Sequence, residues 1–75
     1  MTEQEINNLT PSECFKIMGT EYGTNYFGLL IFYEIEFMPD TGNGYGAFNI
    51  DHRVVFRDTS PQTAVLKAII HKKGI

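Results

Sequence analysis

The chain lacks the covalent and metallic staples on which many small domains depend. It holds one cysteine, Cys14, so no disulfide can form within it. Cys14, His52 and His71 have none of the paired CxxC or HxxxH spacing of a zinc site, and tetrahedral zinc takes four ligands. No cofactor is implied. No apolar run approaches the roughly 20 residues that cross a bilayer. The longest, Tyr26 to Tyr33, lies mid-chain and is far too short, so no membrane partner is expected. The opening Met1-Thr2-Glu3-Gln4-Glu5 is acidic and polar, unlike the basic start and apolar core of a signal peptide. With a lone unpaired cysteine, this predicts a cytoplasmic setting. Asn8-Leu9-Thr10 fits a glycosylation sequon, but without a secretory signal it reads as chance.

An excess of basic charge is also missing. The net charge of −3 argues against a dedicated DNA binder, which needs a strongly basic face to neutralise phosphates. The charge is uneven, however. Residues 1–40 carry seven acids against Lys16, a balance of −6. Residues 41–75 carry Arg53, Arg57, Lys67, Lys72 and Lys73 against Asp51 and Asp58, a balance of +3. The two halves attract each other, within one chain or between two.

What is present is a globular composition, 43% hydrophobic, over 75 residues, enough for one domain spanning 1–75. A domain this small buries only about 60% of its unfolded surface. With disulfide and zinc set aside, self-association is the remaining common support, which favours a homodimer.

The punctuation of the chain predicts helix, strand, strand, helix, an α+β domain. Residues 2–8 suit a turn of helix. Thr10-Pro11-Ser12-Glu13 is a stronger start: Thr10 caps, Pro11 takes the first position and Glu13 completes a capping box. This short N-terminal helix covers 11–18 and stops before Gly19. Tyr26 to Phe37, rich in aromatic and branched residues, reads as a first strand, 26–37. Met38 to Gly44 reads as a turn loop dense in Pro, Asp, Asn and Gly. Tyr45 to Arg57 reads as a second strand, 45–57, with a bulge near Asp51-His52. The two strands form an antiparallel hairpin. Ser60 and Pro61 open a C-terminal helix that packs on one sheet face through Val65, Leu66, Ile69 and Ile70, and Gly74 ends it.

Alternation sorts the hairpin into two faces. The core face takes Phe27, Leu29, Ile31, Tyr33, Ile35 and Phe37 from one strand, and Phe48, Ile50, His52, Val54 and Phe56 from the other. The outer face takes Tyr26, Leu30, Phe32, Glu34 and Glu36, and opposite them Asn49, Asp51, Arg53, Val55 and Arg57. A register with Glu34 opposite Arg53, Phe32 opposite Val55 and Leu30 opposite Arg57 pairs unlike charges. This leaves an apolar centre of Leu30, Phe32 and Val55 inside a charged rim, the composition of a protein interface. Two arrangements remain open: the N-terminal helix covers this face with Phe15 and Met18, or a partner does. A two-stranded sheet is marginal alone, and pairing its edge with a second copy would extend it.

Chemistry is thinly represented. Gly42-Asn43-Gly44-Tyr45-Gly46 opens a strand rather than a helix, so it lacks the helix N-terminus of a phosphate loop. Cys14 sits at an apolar helix position and reads as a buried structural thiol. Asp51 and His52 are adjacent in a strand and point to opposite faces. Glu34 and Glu36 share a face but have no cleft to shift their pKa values. Lys67, His71, Lys72 and Lys73 make a modest basic patch on the last helix, and Tyr22, Tyr26 and Tyr45 offer stacking surfaces.

The chain therefore reads as a non-enzymatic protein-binding or inhibitor protein, acting on a cellular protein through the outer face of the hairpin. Its partner-binding residues are Tyr26, Leu30, Phe32, Glu34, Glu36, Arg53, Val55 and Arg57. A nucleic-acid-binding module using the basic C-terminal helix and the tyrosines is the alternative. In its shortness, acidity and want of an enzyme motif the chain resembles small accessory proteins of phages and mobile elements. That resemblance implies an inhibitor that masks host machinery, of the anti-defence type.

Overall fold

Capping chemistry sets the helix starts. In a computed structural model, which describes residues 1–21, 23–40, 44–50 and 54–75, Thr2 caps α1 (Glu3–Asn7) and Thr10 caps α2 (Pro11–Met18). Each threonine hydroxyl accepts the backbone N–H three residues on, and Glu5 or Glu13 accepts the threonine N–H in return at 2.9 Å. Gly19 ends α2 in the left-handed region at φ 64°, where glycine carries no Cβ penalty. Ser60 caps α4 (Pro61–Lys73), and Gly74 closes it at φ 71°.

The sheet has three strands in the order β1 (Ile35–Asp40), β2 (Gly44–Asn49), β3 (Phe56–Asp58), all antiparallel. The α+β class, the hairpin and the C-terminal helix lying on the sheet agree with the sequence reading. Two boundaries within it are corrected. Residues 26–32 form a helix, α3 (Tyr26–Phe32), not the first seven residues of a strand. The stretch 45–57 is divided between two antiparallel strands, β2 and β3, and the bulge expected near Asp51-His52 lies outside the described residues.

One cause links the two. Ile35 pairs with Asn49, the last residue of β2. A first strand reaching back to Tyr26 would have no neighbour to hydrogen-bond. The apolar run instead satisfies its own backbone as a helix. The Asn25 side chain caps it by accepting from Gly28 N–H at 3.3 Å. Glu34, the one non-glycine residue at positive φ among those described, turns the chain at φ 57° into β1.

The division into two strands also changes which residues face inward. Ile35 and Phe37 face inward as expected, and so does Phe56, 1% exposed. Across β2, however, the inward residues are Ala47 and Asn49, both buried, although alternation placed Asn49 on the outer face; Phe48 and Ile50, placed in the core, lie on the outer face, Ile50 at 55% exposure. Small Ala47 lets α4 lie close to the sheet, and Asn49 donates from Nδ2 to Ala68 O at 3.2 Å. His52 and Arg53 lie outside the described residues.

Helix α4 is the centre of the molecule. Every residue from Gln62 to Ile70 is buried. The sheet covers one side, and α1, α2 and α3 cover the other. Lys67, counted from sequence in a basic patch on this helix, is therefore buried. Helix α2 packs on α4 and leaves the outer face of the sheet uncovered, so Phe15 and Met18 join the core instead.

Neither sheet edge invites a further strand. Pro39 lies in β1, and proline in a strand turns its missing donor outward and blunts that edge. The β3 edge is three residues long and occupied: Arg57 N–H donates to Asn7 Oδ1, and Arg57 O accepts from Lys67 Nζ.

Candidate functional site

The eight residues assigned to one binding face fall on two surfaces. Tyr26, Leu30 and Phe32 belong to α3, and Glu34 to the turn after it. Glu36, Val55 and Arg57 belong to the outer face of the sheet, and Arg53 lies outside the described residues. The register pairing Glu34 with Arg53, Phe32 with Val55 and Leu30 with Arg57 does not form, because residues 30–34 are not strand.

The α3 surface is built by a helix that is apolar all round. Such a helix is normally buried on every side. This one buries only half of itself. Tyr26, Leu29, Leu30 and Tyr33 lean on the core, and the Tyr26 ring lies 6.0 Å from that of Phe37. Phe27, Ile31 and Phe32 point outward at 57%, 73% and 77% exposure. No charged residue interrupts 26–33. At the C-terminal end of α3, Lys72 Nζ donates to Tyr33 O and lies 3.8 Å from Glu34 Oε2. The Lys73 amine sits 5.8 Å from the centre of the Tyr33 ring, within cation–π reach. The apolar face thus ends at two ammonium groups.

Phe27 and Ile31 had been assigned to the core by a period of two. A period of 3.6 would have found them, since residues i and i+4 share a helix face. The run itself supports both periods, and a short continuous apolar stretch does not choose between them.

The outer sheet face carries Met38, Phe48, Ile50 and Val55 around a shallow concavity of about 520 Å³, with Glu36 beside it. Met38 is 47% exposed. Val55 lies over Gly46, where a Cβ would meet its methyl group at 3.1 Å. Arg57 pairs with Gly46 on the β3 side of the same face.

A second concavity, between the starts of α3 and α4, has its polar groups engaged. Gln62 accepts from Gly23 N–H and donates to Glu21 O, both at 3.3 Å, and the Ser60 hydroxyl caps α4.

Two of the candidate chemical groups, Cys14 and His71, pack against the core. Cys14 is wholly buried, and that burial pushes its thiol up to about 11, so it is protonated and inert at neutral pH. His71 Nδ1 lies 3.3 Å from Asn49 Nδ2, and its ring is 5.2 Å from Phe56. Among the described residues no three or more His, Cys, Asp or Glu converge.

Of the basic patch on the last helix, Lys72 and Lys73 are exposed, whereas Lys67 is buried. Lys67, 2% exposed, donates to Asn7 O, Arg57 O and Asp58 Oδ2 at 2.8, 3.2 and 3.2 Å. Of the tyrosines, Tyr45 is stacked on Phe37 at 5.4 Å, Tyr26 is half-buried, and Tyr22 lies outside the described residues. Among the described residues no helix is long and apolar enough to cross a membrane. Comparison with protein-family models, curated proteins and solved structures gives no match.

Proposed function

We propose that this domain is a non-enzymatic protein-binding module that inserts α3 into an apolar groove of another protein. The observation that carries this reading is the outward row of Phe27, Ile31 and Phe32, each more than half exposed, on a helix without charge. Large aromatic and aliphatic side chains held by a rigid scaffold are what anchor interfaces. Spacing of i and i+4 is how a helix presents anchors to a groove.

The chemistry of the partner follows from the flanks. Lys72 and Lys73 stand at the C-terminal end of α3. A groove with an acidic rim at that end complements them. A domain that fills such a groove blocks whatever else uses it, which is the masking action expected of a small inhibitor. Phe32 stays in the binding set named from sequence, Phe27 and Ile31 join it, and Tyr26 and Leu30 support it from beneath.

The test is capture of partners from the native host, followed by calorimetry with the purified partner. Ile31→Glu and Phe32→Glu should each weaken binding by at least tenfold, about 1.4 kcal/mol, with an unchanged circular dichroism spectrum. Glu36→Arg, on the sheet face, should leave that affinity unchanged. Partners retained equally by the wild-type chain and an Ile31→Glu/Phe32→Glu chain would reject α3 as the docking element.

A further inference from the structure

We propose that Gly28 is a socket in the docking face of α3, which receives one large apolar side chain projecting from the partner protein. The socket rests on the docking role given to α3 above and adds what the other side must present. A helix turns about 100° per residue. Tyr26, Leu29, Leu30 and Tyr33 therefore share the side that leans on the core. Gly28 falls near the middle of the opposite, exposed side, with Phe27 and Ile31 at one flank and Phe32 at the other. Three large side chains thus surround a position that has none.

The walls are held away from the gap. The Phe27 ring stacks on Tyr26 at 4.3 Å, and the Phe32 ring meets Tyr33 edge-on at 5.0 Å. Both tyrosines lean on the core, so each ring is fixed at its own flank. Side chains ordered before binding lose less freedom when a partner arrives.

The fold itself gives no reason for glycine at 28. Its φ is not positive, and the N–H it donates to Asn25 Oδ1 is one that any residue but proline supplies. Among the described residues, a Cβ there would meet only the Asn25 side chain, at 3.5 Å, an ordinary contact. Glycine within a helix is nevertheless less favourable than alanine. A glycine that the fold does not use, central to an exposed apolar face, marks close approach by another molecule. Because the walls are wholly apolar, the inserted group is a large aliphatic or aromatic side chain. Lys72 and Lys73, at the Tyr33 end, call for acidic groups beside it on the partner.

The chain alone supplies the first test. Gly28→Ala should keep or raise the urea midpoint, and a lowered midpoint overturns the proposal by showing that the fold needs the glycine. The second test uses a displayed library of small helical bundles, with one helix face randomised, selected on the wild-type chain. Binders weakened at least tenfold by Ile31→Glu are seated on α3, and alanine scanning finds their most costly side chain. That side chain should be large and apolar. Its truncation to alanine should weaken binding to the wild type at least tenfold. On Gly28→Leu, where leucine already fills the socket, the truncated binder should bind at least as tightly as the intact one. If Gly28→Leu fails to fold by circular dichroism, or binds too weakly to measure, Gly28→Ala takes its place. Truncation should then cost at least about threefold less on the variant than on the wild type. A truncation that costs the same on both chains, or a polar side chain as the most costly one, overturns the socket and leaves α3 as the docking element. A library yielding no binder sensitive to Ile31→Glu rejects α3 itself, and the socket with it.

Discussion

Gly44 is the residue that the hairpin can least exchange. Its φ of 126° lies where side chains are rarely held, and a Cβ there would stand 2.4 Å from the carbonyl oxygen of Asp58. That obstacle is backbone within a paired strand, so it cannot swing aside. Gly44→Ala should cost about 2–3 kcal/mol, read as a lowered urea midpoint at unchanged slope. Against a total of about 4–11 kcal/mol for a domain of this length, that is a severe loss. Gly46→Ala meets only a Val55 methyl group at 3.1 Å and should cost less than about 1 kcal/mol. In the sequence the two glycines look alike, both in the Gly-rich stretch that opens a strand. Only the neighbour across the sheet distinguishes them.

At the scale of elements, local signals were read correctly where they are self-contained. The Thr10–Glu13 capping box, the Pro61 start and the glycine stops are short-range hydrogen-bonding rules that hold in the fold, and Thr2 and Glu5 form a second box where only a turn of helix was expected. The boxes carry a pH consequence. Bonds from the Thr2 and Thr10 backbone N–H, and secondarily from their hydroxyls, hold the Glu5 and Glu13 carboxyls below the usual glutamate range. A group whose folded value is depressed stabilises the fold above its unfolded value and stops doing so as pH falls through the folded one. Helical circular dichroism at 222 nm should therefore weaken on acidification from about pH 5 towards pH 3. A Glu5→Gln/Glu13→Gln chain should show a shallower loss.

Helix α3 is where local reading failed. Eight apolar residues in a row fit a strand or a helix equally, and the choice fell to pairing: β2 ends at Asn49, leaving residues before Ile35 without a strand to join. The candidate site split for the same reason. Phe32 left the sheet with α3, while Glu36, Val55 and Arg57 stayed on it, joined by Met38, Phe48 and Ile50.

At the scale of the molecule, Lys67 ties the layers together. Its ammonium joins the end of α1 through Asn7 O, β3 through Arg57 O, and the Asp58 carboxylate, which also accepts from Ser60 N–H at 2.9 Å. A buried charge is tolerable only when so fully partnered, and removing one member leaves the rest exposed to the desolvation cost. Lys67→Ala should destabilise by about 3–5 kcal/mol, measured by denaturant unfolding, and should leave little folded protein at the lower end of the expected stability. Loss of under about 1 kcal/mol would show that the tie is dispensable.

The sequence by itself determined the α+β class, the bounds of α2 and α4, the existence of a hairpin and the inert character of Cys14. Each rests on contacts between residues close in the chain or on composition. Tertiary structure alone decided that α4 is sealed on every side, that Lys67 is a buried tie rather than a basic contact, and that α3 is a helix. It also decided which side of β2 faces inward. These depend on where strands end and which element lies across from which, and such distances in space are not encoded in the spacing of residues along the chain.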